Sequence, residues 1–143
     1  MSRCVKAGVA AALGCACLGV ACGSQSTSAP SPTPAAPTVT ENWTGTLVPN
    51  GTRFYSYNVS QLGTVNITLV SVASAGVPST VTMGLASGTP AGTGCSTTGD
   101  VNVAAGSTPQ LSVTLDAGVH CAKFYDIGNL VTPAAFAITI AHP

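Results

Sequence analysis

Only two histidines, His120 and His142, are available as general bases. Serine or cysteine hydrolysis needs a nucleophile beside such a base and a third group to orient it. Serines and threonines are plentiful, but no Gly-x-Ser-x-Gly elbow occurs. His142 is next to last and is expected to fray. His120 lies in the alternating stretch "VHCAKFYD", at a position that packs. No catalytic residue is assigned, and the chain is not expected to be an enzyme. A zinc site would have to use Cys95, Cys121 and His120, which come from two places and make a poor ligand set. Calcium would draw on Asp100, Asn102, Asp116, Asp126 or Asn129, but these lack EF-hand spacing. "YDIGN" is the most ligand-like stretch. Tyr125, Asp126 and Asn129 are therefore the candidate ligand or calcium contacts, although Asp-x-Gly-Asn is equally good turn chemistry. No resident metal and no cofactor are expected.

Two further chemistries are weak. "ASGTPAGTG", Ala86 to Gly94, is glycine-rich but lacks the Lys-Ser/Thr that grips phosphate, so it reads as a flexible loop. A carbohydrate platform would need exposed aromatics, and Trp43, Tyr55 and Tyr57 alternate like core residues, leaving Tyr125 alone. Charge excludes more. Beyond the first six residues only Arg53 and Lys123 oppose Glu41, Asp100, Asp116 and Asp126, a formal net charge of −2. Nucleic-acid binding needs several phosphate-facing cations, and a basic membrane patch needs the same.

The elements that must position these residues are short strands. From about Val39, apolar and polar residues alternate, and Gly, Pro, Asn or Asp break the pattern at short intervals. "ENWTGTL", "RFYSYNVS", "GTVNITLVSV", "STVTMGL", "PQLSVTLDAG", "VHCAKFYD" and "AAFAITIAH" each present one apolar face. No window carries a useful helical stripe. About eight strands of this kind predict an all-β fold, an antiparallel β-sandwich with jelly-roll-like topology.

Upstream, the chain is different. "MSRCVK" is positive, and Ala7 to Ala21 is an uncharged apolar run shorter than the ~20 residues of a spanning helix. This is the pattern of a secretory signal peptide. "LGVAC", Leu18 to Cys22, resembles the lipobox of bacterial lipoproteins: Val20, Ala21 and Cys22 match, while Gly19 stands where that family prefers Leu. The resemblance implies that Cys22 is diacylated (the palmitate-type anchor of that class) and becomes the mature first residue. Cys15 and Cys17 are alternative processing sites, and cleavage by an ordinary signal peptidase would leave Cys22 unlipidated. "GSQSTSAPSPTPAAPT" then carries no charge and no large apolar side chain, so it cannot offset its ordering entropy and reads as a tether. At ~3.1 Å per residue in polyproline-II geometry it reaches on the order of 50 Å. The expected organisation is a signal peptide over 1–21, a lipidated cysteine and tether over 22–38, and a sandwich over 39–143. Asn42, Asn50, Asn58 and Asn66 head Asn-x-Ser/Thr triplets, which in an exported bacterial chain are polar strand surface.

A second resemblance covers roughly residues 40 to 143. "NWTGTLVPNGTRFYSYNVSQLGTVNITLVSV", "GLASGTPAGTGC", "AGVHCAKFYDIGNL" and "FAITIAHP" look like the bacterial pre-peptidase C-terminal domain and its lipoprotein relatives. His120 departs from it, standing where that family usually has Tyr. The resemblance implies a compact, non-catalytic sandwich displayed by secreted proteins. Its partners would be the bilayer, through Cys22, and an envelope protein or glycan. The expected state is a monomer.

Six cysteines suggest a disulfide framework. On the lipoprotein reading, Cys4, Cys15 and Cys17 leave with the signal peptide and Cys22 is consumed by lipid. Cys95 and Cys121 remain, in an oxidising setting. A Cys95–Cys121 disulfide is expected, stapling the glycine-rich loop over the outside of the sandwich, with the two Cα atoms within ~7 Å.

Overall fold

The computed structural model describes residues 30–143. The expected signal peptide and Cys22 lie outside the described residues. The strands are β1 (Val39–Leu47), β2 (Thr52–Val59), β3 (Gly63–Ala73), β4 (Met83–Ala91), β5 (Gly94–Val103), β6 (Leu111–Leu115), β7 (Gly118–Tyr125) and β8 (Ala134–His142). They form two four-stranded sheets, ordered β1-β8-β3-β6 and β2-β7-β4-β5. Every pairing between strands is antiparallel. The first strand pairs with the last, the second with the seventh, the third with the sixth and the fourth with the fifth. That is a long hairpin rolled up into two sheets, the jelly-roll arrangement the alternation predicts.

Period-two alternation sets the core. β8 is the clearest case: Ala134, Phe136, Ile138, Ile140 and His142 point inward and are buried. Opposite them, Leu85 and Phe124 are completely buried. Phe124 packs on Phe136 with ring centroids 4.6 Å apart. A second cluster joins Tyr57, Val65, Ile67, Leu85 and Ile140. Where β1 and β2 leave the sandwich open at the side, Trp43 stacks on Tyr55, centroids 4.6 Å apart. The three aromatics placed in the core by their alternation are thus inward-facing.

Two expectations need correction. The stretch from Ala86 to Gly94 is not a flexible loop: it completes β4, turns, and opens β5. Ala86, Ser87 and Gly88 are buried strand residues. They are small because other parts of the chain lie on them. The β4–β5 ladder shifts register between Ser87 and Gly88. There the Ser96–Thr97 backbone lies where a Gly88 side chain would point: a Cβ would collide with the Ser96 carbonyl and lie 2.7 Å from Thr97 Cα. Nor does His142 fray. It ends β8 with 4 % of its surface exposed, its Nε2 3.1 Å from Glu41 Oε1.

The chain enters at one end of the sandwich. Ala35 forms a parallel bridge with Gly63. Its N–H donates to Leu62 O at 3.0 Å, and Thr64 N–H donates to its carbonyl at 2.8 Å. Thr38 N–H then donates to His142 O at 3.0 Å. The last residues of the expected tether are therefore fastened to the sandwich. The turns before β3 and before β7 lie at this end. At the other lie the β1–β2, β3–β4 and β7–β8 loops.

Candidate functional site

"YDIGN" occupies the end of β7 and the loop that follows, at the pole opposite Ala35. Asp126 is the organising residue. Its Oδ1 accepts the N–H groups of Gly128 (3.0 Å), Asn129 (2.8 Å) and Leu130 (3.1 Å). Its Oδ2 accepts Asn50 N–H at 2.8 Å, from the β1–β2 turn. Asp126 N–H donates in turn to Gly51 O at 3.0 Å. Asn129 extends the network: its Nδ2 donates to Thr82 O, before β4, at 2.8 Å. One carboxylate and one amide therefore tie three loops together. The backbone cooperates, because Asn50 (φ 56°) and Gly128 (φ 98°) both adopt the left-handed region that Asn and Gly tolerate best.

Burial pushes the Asp126 carboxyl pKa up, but the four N–H donors favour the ionised form more strongly, and the net shift is downward. Both oxygens are engaged by backbone. A cation here would have to displace N–H groups that already satisfy the charge. What this arrangement does chemically is hold loops.

The folded-state pKa of Asp126 lies below the ordinary carboxylate value. Its stabilisation is therefore complete above about pH 4 and fades as pH falls through the depressed folded value. Asp126→Asn sets an amide NH2 against one or more N–H donors and costs about 2–3 kcal/mol, judged by hydrogen bonds to a charged group. Urea melts at pH 7 and pH 3 check both points: the gap between wild type and variant narrows at pH 3. A gap unchanged with pH would refute the charged-cap assignment.

The other candidates are scattered. Tyr125 does not face Asp126. Its ring lies on Gly84 of β4, where a Cβ would collide with it, and Lys123 Nζ sits 4.7 Å from the ring centroid. Burial raises its hydroxyl pKa, and the nearby Asp100 charge adds to the rise. His120 faces Tyr57 across the ladder, and its Nε2 lies 2.9 Å from the Asp116 carbonyl. Asp100 and Asn102 lie on β5, on the outward face of that sheet. Asn42, Asn50 and Asn58 are exposed, and Asn66 accepts Ser112 Oγ–H at 2.7 Å. Among the described residues, no three His, Cys, Asp or Glu side chains cluster as a metal would require, and no pocket opens.

Cys95 and Cys121 are brought together. Their disulfide spans a Cα–Cα distance of 6.0 Å. Cys121 pairs with Gly88, and Cys95 with Pro90, so the bond reaches from β5 across β4 to β7. It lies on the outer face of its sheet, opposite Ala122 and Phe124, as the alternation predicts. Cys121 is nonetheless completely buried, because the start of β5 covers it.

Alternation sets the inward aromatics and the outer face of Cys121, while the cysteine pairing is expected by elimination; the reach of Asp126 to Asn50 has a fainter signal. That signal is the "PNG" turn at Pro49–Gly51, whose residues favour positive φ and leave an N–H to be capped. No protein-family model matches the chain, and no curated protein matches it.

Proposed function

We propose that this chain is an exported, lipid-anchored display module of a bacterial envelope, attached through acylated Cys22 and acting by binding without chemistry of its own. The observation that carries the reading is polarity. The chain enters at the pole of Ala35, and the loops organised by Asp126 occupy the opposite one. A tether fixed at the first pole would hold the second farthest from the lipid. The far loops are firmly tied, yet they expose apolar Val48, Ile127 and Val131. Rigid loops presenting apolar side chains suit recognition of a protein or glycan of the envelope. The disulfide supports an oxidising compartment.

A structural envelope role is the second reading. It is favoured by the uncharged outer face of β1, where Thr40, Asn42, Thr44 and Thr46 alternate outward. A protease-associated accessory domain, the role the pre-peptidase resemblance implies, would use the same surfaces in trans.

Anchoring is tested directly. Expressed in a bacterium, the full chain should partition into detergent, and Cys22→Ser should release it or block its maturation. Mass spectrometry of the mature N-terminus should show a diacylated cysteine. An unmodified N-terminus would end the lipoprotein proposal. A pull-down from native envelopes then separates the roles: captured protein or glycan lost on Ile127→Asp with Val131→Asp supports binding by the far loops, and capture insensitive to them refutes it.

A further inference from the structure

We propose that two copies of this chain associate through the side of the sandwich that β1 and β2 form, each strand pairing with the other strand of the partner. The two sides of the molecule are built differently. On one side lie β5 and β6. β6 has only 5 residues, and β5 breaks register against β4 and carries the exposed charge of Asp100. Above β6 the Gln110 side chain fills the ladder, its Oε1 accepting Leu69 N–H at 2.7 Å and its Nε2 donating to Leu69 O at 3.2 Å. Short strands, bulges, charges and capped backbone are how an edge is kept from pairing with another chain.

The β1–β2 side is longer and unbroken, although its Thr44 carbonyl already accepts Tyr55 Oη–H at 3.5 Å. β1 pairs with β8 from Val39 to Leu47 without a bulge, and β2 with β7 from Thr52 to Val59. Neither strand contains proline or lysine. Their only charges are Glu41 and Arg53; both follow the inward alternation, and Arg53 is exposed at the side. Each strand is the last of its sheet, so one row of backbone N–H and C=O groups on each has no strand beside it among the described residues.

The direction of the strands selects a second copy as the occupant. β1 runs toward the β1–β2 turn and β2 runs back from it. A two-fold axis parallel to the strands therefore lays β1 of one copy antiparallel to β2 of the other, and does so twice. A lone extended peptide would fill one edge and leave the other bare. Height is fixed by the Trp43–Tyr55 stack. It sets Asn42 level with Ser56 of the partner, Thr44 with the partner's Phe54, and Thr40 with the partner's Asn58. All six are uncharged, and Phe54, 38 % exposed in one copy, gains cover. Eight paired residues extend ~27 Å, and two sheets ~10 Å apart with their side chains give a strip ~20 Å wide. The contact is then roughly 500 Å² per copy, ~1,000 Å² in all, the lower bound for a specific and weak dimer. The same axis keeps Ala35 of both copies at one pole, so two tethers leave side by side. The proposal is compatible with anchoring but does not depend on it.

Sedimentation of the full chain over a concentration series should show a monomer–dimer equilibrium with a midpoint on the order of 1–100 µM. Asn42→Lys with Ser56→Lys opposes two ammonium groups in each ladder and should weaken association at least about tenfold while the thermal melt stays unchanged. Should that variant fail to fold, single cysteines give the same answer. Asn42→Cys protein mixed with Ser56→Cys protein should form a covalent heterodimer on mild oxidation that neither forms alone. A monomer at about 1 mM, a dimer indifferent to the lysines, or no heterodimer in the mixture would each overturn the proposal.

Discussion

Protein lacking the Cys95–Cys121 bond unfolds at a clearly lower urea concentration than the oxidised form. The bond closes a segment with a sequence separation of 26. In the chain-entropy description, a loop of that length contributes about 3.5 kcal/mol by restricting the unfolded chain. A single domain has a total stability of only ~5–15 kcal/mol, so the loss is a large share. Cys95→Ala with Cys121→Ala is the cleaner comparison, because both side chains are replaced by something small and apolar. Equilibrium unfolding, with and without reductant, measures the effect. Equal midpoints for wild type and the double variant would show that the unfolded chain is already restricted there, and would remove the bond from the account of stability.

Gly88→Ala is expected to be as damaging, about 3–4 kcal/mol, although it adds one methyl group. The added Cβ meets the Ser96 carbonyl and the Thr97 backbone. Neither can swing aside as a side chain would. β5 would have to lift off β4, carrying Cys95 away from Cys121. Less of the protein should therefore acquire the disulfide, as free-thiol labelling after purification will show. Gly84→Ala provides the comparison. There the new Cβ meets the Tyr125 ring, which turns about its own χ angles, so the cost should be nearer ~1 kcal/mol. Similar melting temperatures for the two variants would refute the assignment of Gly88 as the point where β5 crosses.

The contrast between these glycines also explains what was legible in the sequence. Strands such as "RFYSYNVS" and "FAITIAH" declare themselves, because burial of one sheet face demands apolar residues at every second position. β4 hides the signal on its outer side. Gly84 and Gly88 make room for Tyr125 and for the β5 backbone, and these contacts are tertiary, so the composition from Ala86 onward reads as a loop. β5 hides it too, since Val101 and Val103 are its only aliphatic residues. Position alone predicts a frayed His142, but Glu41, 101 residues away, holds it. At the candidate site the turn chemistry of "YDIGN" was readable. The partner that makes it a clasp, Asn50, lies 76 residues away: the "PNG" turn announces an N–H to be capped, but not which residue caps it.

The way the chain enters the sandwich also sets how a pull on it would be carried. A pull on the segment before Ala35, directed away from the far loops, runs parallel to β1. The ladder from Val39 to Leu47 against β8 is then sheared, with all its rungs strained together, instead of being peeled open one by one. The Ala35 bridge is a smaller element in series with that ladder, held by two backbone hydrogen bonds. It would yield first and free the three residues before Thr38, whose N–H is held by His142 O, roughly 10 Å of chain. Under such a load the base of the domain would extend a short way before the sandwich itself had to open.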